Sequence, residues 1–220
     1  VDVEHRSKPA PGYVHKRIIF DNFLFYCTKR FATVKIFTVT DLIMEKDSVC
    51  GIVGKNEKGE KVEYRCKILL AADGANSMVA QKFNLNKNPP DHFIVATRQY
   101  YKGVTGMTDR IEIHLVKDLI PGYFWIFPLP NGEANVGLGM IVKDMNQKKV
   151  NLKTAMLKEI KENPLFKDRF KDAQPLEDVK GWNLPIASYH RKCYGNGFLL
   201  LGEAGIAGGA LRHGGPGRGV

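Results

Sequence analysis

Ile68-Leu69-Leu70-Ala71-Ala72-Asp73-Gly74-Ala75-Asn76-Ser77 is an apolar run cut off by Asp-Gly, with a serine three residues further on. A short apolar run bounded by turn residues reads as a buried strand. Asp73-Gly74 is then a tight turn at its carboxyl end, and Ser77 opens a short helix reaching about Phe83. In open α/β sheets, ligands bind outside the carboxyl ends of the strands, so this stretch points to a dinucleotide-type cofactor. Gly74 can take a positive φ or admit a close ligand. Asp73 can accept hydrogen bonds from a ribose or from the turn's own amides. Ser77 can cap the helix, whose amino end favours phosphate. The plain alternative is an Asx turn that ends a strand and does nothing more.

A second stretch repeats that logic. Phe198-Leu199-Leu200-Leu201-Gly202-Glu203-Ala204-Gly205 is again an apolar strand ending in glycine and a carboxylate. Two such turns in one chain strengthen the cofactor reading.

Between them lies Pro121-Gly122-Tyr123-Phe124-Trp125-Ile126-Phe127-Pro128, with four aromatics in five residues. Strand alternation puts Tyr123, Trp125 and Phe127 on one face and Phe124 and Ile126 on the other. With both faces apolar, the strand is either plain core or the wall of an apolar cavity suited to a long hydrocarbon. Nearer the start, Arg17 precedes the amphipathic run Phe20, Phe23, Leu24, Cys27 and Phe31, with Asp21 as a candidate cap. The Arg17 guanidinium fork matches phosphate oxygens, although a ligand-free surface arginine is the default.

The remaining pattern alternates short strands with a few helices. Strands are expected at 34–39, 49–53 and 62–66, the last two joined by the hairpin-type turn Asn56-Glu57-Lys58-Gly59. After an Asn/Lys/Pro-rich loop at 84–90, strands follow at 93–101, 111–116, 123–127 and 135–142, with turn chemistry such as Asn131-Gly132 between them. One or two helices lie between Leu152 and Phe170, interrupted at Pro164. The expected fold class is α/β with α+β character, a part of a Rossmann-like cofactor domain joined to an antiparallel-sheet substrate domain. Residues 1–88 form the partial cofactor domain, 89–195 the substrate domain, and 196–220 return to the first. The tail from Gly202 carries eight glycines in nineteen residues and specifies no packed element.

Bulk properties narrow the function classes. The chain has 220 residues, is 44% hydrophobic and 25% charged, and is an ordinary globular sequence by these measures. No run approaches the roughly 18 apolar residues of a membrane span. No signal peptide is visible in its polar start. The net charge of +10 suits anionic membrane surfaces, phosphorylated substrates or nucleic acid. Its richest stretch, Lys143 to Lys171, reads as a solvated helical face. No zinc-finger spacing or RNA-binding aromatic motif is present, so nucleic acid is not an expected partner. Cys27, Cys50, Cys66 and Cys193 contain no C-x-x-C pair and read as free thiols in a reducing compartment, with no metal site. The six histidines form no triad with Ser or Cys.

In combination and order these motifs resemble the flavoprotein group that includes geranylgeranyl reductases and aromatic-ring hydroxylases. The matching pieces are R-x-x-F-D-x-x-L from Arg17, A-D-G-A-N-S from Ala72 and L-L-L-G-E-A from Leu199. Y-F-W-I-F-P from Tyr123 looks like the Y-x-W-x-F-P motif of the geranylgeranyl reductase branch. The resemblance implies an FAD enzyme, with a substrate sheet over the isoalloxazine ring, that saturates the double bonds of prenyl lipids. The cofactor carries the chemistry and the protein orients it. By match of position it implies that Arg17, Asp73, Gly74, Ser77, Gly202 and Glu203 lie at the FAD site. Tyr123, Trp125, Phe127 and Pro128 would line the prenyl-chain cavity. NADPH or another reductant would supply electrons, and the catalytic residue is not indicated. The implied setting is cytoplasmic, with peripheral contact to anionic membrane.

The sequence departs from that group at both ends. The G-x-G-x-x-G fingerprint expected upstream of Arg17 is not among the sixteen residues before it. Glu203 stands where Asp is usual, and Gly214-Gly215-Pro216-Gly217 is a poor substitute for the Pro and Gly-rich turn after Ala204. The chain is therefore expected to be a fragment. Two other readings remain open: a flavin-dependent aromatic monooxygenase, and a non-catalytic lipid-binding remnant that kept the substrate sheet.

Overall fold

Period-two alternation dominates the chain, and strands outnumber helices accordingly. The structure, a computed structural model, describes residues 12–186, 188 and 191–205. The Gly214–Gly217 segment lies outside the described residues. The elements run α1 (Arg17–Thr28), β1 (Phe37–Glu45), β2 (Ser48–Asn56), β3 (Lys61–Arg65), β4 (Leu69–Ala71), α2 (Met78–Lys82), β5 (Phe93–Lys102), β6 (Glu112–His114), β7 (Tyr123–Leu129), β8 (Glu133–Ile141), α3 (Val142–Gln147), α4 (Leu152–Glu162), β9 (Gln174–Pro175), β10 (Lys180–Pro185), β11 (Tyr194–Gly195) and β12 (Phe198–Leu200). The mixture of helices and antiparallel strands is α+β, as expected.

The chain folds as two compact units. Among the described residues, one comprises those up to 34 with 97–138 and 153–180, and the other those at 35–96, 139–152 and from 181 onward.

In the first unit, β7 buries Phe124 and Ile126 completely. They lie on the same side as Ala134, Val136 and Leu138 of β8, which are also fully buried. Helix α4 contributes Met156 to that core, and the loop after it contributes Phe166. Phe166 stacks on Phe124 with ring centroids 4.6 Å apart. The part of the sheet within this unit has the order β5-β8-β7-β6, with β9 pairing β5. Strands β6 and β7 are antiparallel, with Ile113 opposite Trp125. The β7–β8 connection turns through Asn131 and Gly132 with φ of 64° and 70°, so the Asn-Gly hairpin signal is borne out.

Helix α1 belongs to this unit and departs from expectation. It starts at Arg17, and Asp21 is no cap: its carboxylate accepts from Arg17 Nε at 3.0 Å within the helix. None of its residues is buried, and Ile18, Phe20, Phe23, Leu24 and Tyr26 are all exposed.

In the second unit, β1, β2 and β3 form an antiparallel meander. Strands β1 and β2 turn at Lys46-Asp47, a hairpin the sequence did not announce. A smaller sheet has the order β11-β12-β4, in which β12 and β4 run parallel. A core of Leu42, Val49, Ala71, Val79, Ala80, Phe198, Leu200 and Ala204 joins the two sheets through α2. Leu70 and Leu199 are exposed, so β4 and β12 are buried on one face only rather than on both.

Candidate functional site

The two glycine-acid turns, 128 residues apart in sequence, end neighbouring parallel strands. Leu200 is in register with Ala71. The pair begins with Leu69 N–H donating to the Gly197 carbonyl at 2.8 Å and closes with Leu201 N–H donating to the Ala71 carbonyl at 2.8 Å. Asp73-Gly74 and Gly202-Glu203 therefore leave the same end of one sheet. Both glycines are left-handed, φ 79° at Gly74 and 57° at Gly202, and a Cβ built on either meets nothing within 4 Å. The backbone at each turn thus borders open space, which is the approach a bulky ligand needs.

The side chains around the first turn are arranged by α2. Ser77 is buried, and its Oγ accepts from Ala80 N–H at 3.0 Å as the N-cap of the helix. Asp73 Oδ2 accepts from Met78 N–H at 2.9 Å. Two amides at the amino end of α2 are therefore satisfied by the protein itself. Asp73 and Asn76 border a cleft of about 580 Å³ whose apolar walls include Val39, Ile52, Leu70 and Val79. The cleft is apolar apart from Asp73 and Asn76.

At the second turn, Trp182 Nε1–H reaches Glu203 Oε2 at 3.5 Å. Arg191 was not singled out in the sequence, where a lone arginine carries no signal. Its Nη1 donates to Asn88 Oδ1 at 3.1 Å, and Nη2 donates to the Ala204 carbonyl, tying this turn to the 84–90 loop.

The other expected residues lie in the first unit. Arg17 is exposed, and its guanidinium is taken by Asp21. Tyr123, Trp125 and Phe127 are half-buried on one face of β7, with centroid steps of 5.9 and 6.0 Å along the strand. Ile113, opposite Trp125, is 54% exposed and extends this apolar face. The strand is core on one side and an open aromatic ladder on the other. Behind the ladder, Glu112 accepts from Arg169 Nη1 at 2.6 Å and Nη2 at 2.8 Å. That guanidinium holds the Glu112 carboxyl below the usual carboxylate range.

Residues 94–181 match the geranylgeranyl reductase catalytic domain family. The chain resembles the geranylgeranyl reductases. It is 35% identical over 200 residues to digeranylgeranylglycerophospholipid reductase of Methanocaldococcus jannaschii, covering 89% of this chain and 49% of that protein. A geranylgeranyl bacteriochlorophyll reductase-like protein of Thermoplasma acidophilum superposes with TM-score 0.78 at 24% identity, over 92% of this chain and 50% of that one. The myxobacterial chondrochloren halogenase, described as an FAD-dependent halogenase, superposes with TM-score 0.73 at 21% identity, over 91% and 48%. At those identities the two structures establish the fold alone. The chain spans about half the length of the curated relatives it matches. Among the described residues no helix is long and apolar enough to cross a membrane, and no cluster of His, Cys, Asp or Glu could hold a metal.

Proposed function

We propose that the protein to which this chain belongs is an FAD-dependent oxidoreductase that saturates carbon–carbon double bonds of prenyl lipids. The observation that carries this reading is the parallel pairing of β4 with β12. It gathers Asp73-Gly74 and Gly202-Glu203 at one sheet end, each with a left-handed glycine facing open space. In this reading those four residues border the cofactor, and Ser77 fixes the turn through its cap rather than by touching the ligand. Arg17, engaged with Asp21, contributes only by exchanging that partner for a phosphate. When bound, reduced FAD supplies the hydride. The chain's own part is to orient the lipid: Tyr123, Trp125, Phe127 and Pro128 offer an apolar, aromatic face that holds a hydrocarbon chain and excludes water. NADPH or another reductant supplies the electrons. Peripheral contact with anionic membrane, where such lipids reside, belongs to the same proposal and is supported by the net charge of +10.

The test is a titration of the full-length protein with FAD, followed by anaerobic reduction in the presence of geranylgeranyl lipid. Yellow protein that yields partly saturated lipid is expected. A protein that stays colourless after incubation with FAD overturns the reading. Oxygen consumption stimulated by a phenol, without lipid reduction, would place it among the aromatic monooxygenases instead.

A further inference from the structure

One ring of the aromatic ladder is anchored from two sides. On β8, the buried residues Ala134, Val136 and Leu138 alternate with Glu133, Asn135 and Gly137, so Asn135 and Gly137 share the face of Trp125. Trp125 Nε1–H donates to Asn135 Oδ1 at 3.2 Å. An indole N–H only donates, so this position needs an acceptor and the amide must turn its oxygen toward the ring. Under the same indole lies Gly137. A Cβ built there would stand 2.1 Å from Trp125 Cζ2 and 2.5 Å from Cε2. Asn135 therefore holds the pyrrole edge, and the missing side chain of Gly137 provides the floor for the benzene ring.

An apolar residue at 135 would cover this face as well as asparagine does. It would not orient the indole, and it would leave a half-buried donor unpaired. Tyr123 and Phe127 flank the ring at centroid distances of 5.9 and 6.0 Å, contacts that are apolar and carry no hydrogen bond to its N–H. The amide is the contact that selects one ring orientation.

We propose that Asn135 is a positioning residue: it locks the Trp125 indole flat over Gly137 and thereby sets the affinity for the prenyl chain. This rests on the reading of the β7 face as the lipid platform. A pre-ordered ring spares the binding step the ordering of one bulky side chain, and losing that advantage weakens binding about two- to tenfold.

Four variants test it: N135L and N135A, which lack the acceptor, N135D, which keeps it, and W125F. The first readout is the Trp125 indole N–H resonance and its solvent exchange in the lipid-free protein. It is assigned by its loss in W125F, with Trp182 as internal reference for folding. The second is the dissociation constant for geranylgeraniol. In N135L and N135A the resonance is expected to shift and exchange faster, with binding weakened about two- to tenfold. N135D is expected to restore both. If the resonance is unmoved in both acceptor-free variants, the proposal is wrong. It is equally wrong if the resonance moves while geranylgeraniol binds as to the native chain and W125F weakens binding. Equal binding by W125F and the native chain overturns the lipid platform itself and the proposal with it.

Discussion

Gly197 gives the sharpest test of how the β11–β12 hairpin packs on β2. It lies in the β11–β12 hairpin with φ 78°, and a Cβ on it would stand 2.0 Å from the Val49 carbonyl oxygen and 2.7 Å from Ser48 Oγ. Neither the strand β2 backbone nor the hairpin can withdraw freely, because Val49 N–H donates to the Asn196 carbonyl at 2.9 Å and Leu69 N–H to the Gly197 carbonyl at 2.8 Å. Gly197→Ala therefore adds two costs. The left-handed backbone costs about 1–2 kcal/mol with a Cβ. Forcing an atom into backbone contact costs about 1–3 kcal/mol more. The sum, about 2–5 kcal/mol, is a large share of the about 5–15 kcal/mol that holds a typical domain together. Gly59 separates the two costs: its φ is 79° and nothing lies within 4 Å of its Cβ. Gly59→Ala should show the backbone cost alone, about 1 kcal/mol. The assay is urea unfolding followed by far-UV circular dichroism. At a slope near 2 kcal/mol per molar urea, the G197A midpoint should fall by roughly 1–2.5 M and that of G59A by about 0.5 M. If G197A is as mild as G59A, the close packing of the β11–β12 hairpin on β2 is wrong.

The ion pair behind the aromatic ladder gives a pH signature. Glu112 has its carboxyl lowered, chiefly by the Arg169 hydrogen bonds, so its stabilisation is fully present above the unfolded carboxylate value and is lost as pH falls through the folded one. Glu112→Gln should cost about 1–3 kcal/mol at pH 7, and the gap to the native chain should narrow progressively as pH falls below the free carboxylate value of about 4.3; urea midpoints followed from pH 7 down to about pH 2 check this. The basic surface should make vesicle binding electrostatic. Co-sedimentation is expected with phosphatidylserine-containing vesicles at 50 mM salt and is expected to fall away at about 0.5 M, where screening is short-ranged. Binding that ignores both lipid charge and salt would overturn the membrane proposal.

What the sequence disclosed and what it withheld follow from the range of the forces involved. Local chemistry was legible: Asn131-Gly132 makes its left-handed turn, Ser77 caps α2, and the alternation through Tyr123–Phe127 separates two faces, one fully buried and one half-buried. Each depends on residues a few positions apart. The Asp21 cap failed for a reason of the same kind. The helix already begins at Arg17, so Asp21 lies in its interior and its carboxylate pairs with Arg17 instead. The Lys46-Asp47 hairpin was missed because Lys46 takes a left-handed φ of 56° without a glycine to signal it. Arg191 and Asn135 were invisible for a different reason. Each acts on a partner that only the fold brings near, Ala204 across the second unit and Trp125 across a strand pair. The opening Asp-Gly turn shows both sides of this. Its conformation could be read from six residues. Its place beside Gly202-Glu203 could not, because that rests on a parallel pair of three-residue strands, each too short to declare its neighbour. Proximity of two glycine-acid turns is what separates a ligand-binding end of a sheet from two unrelated strand ends. That step from turn to site belongs to the tertiary structure.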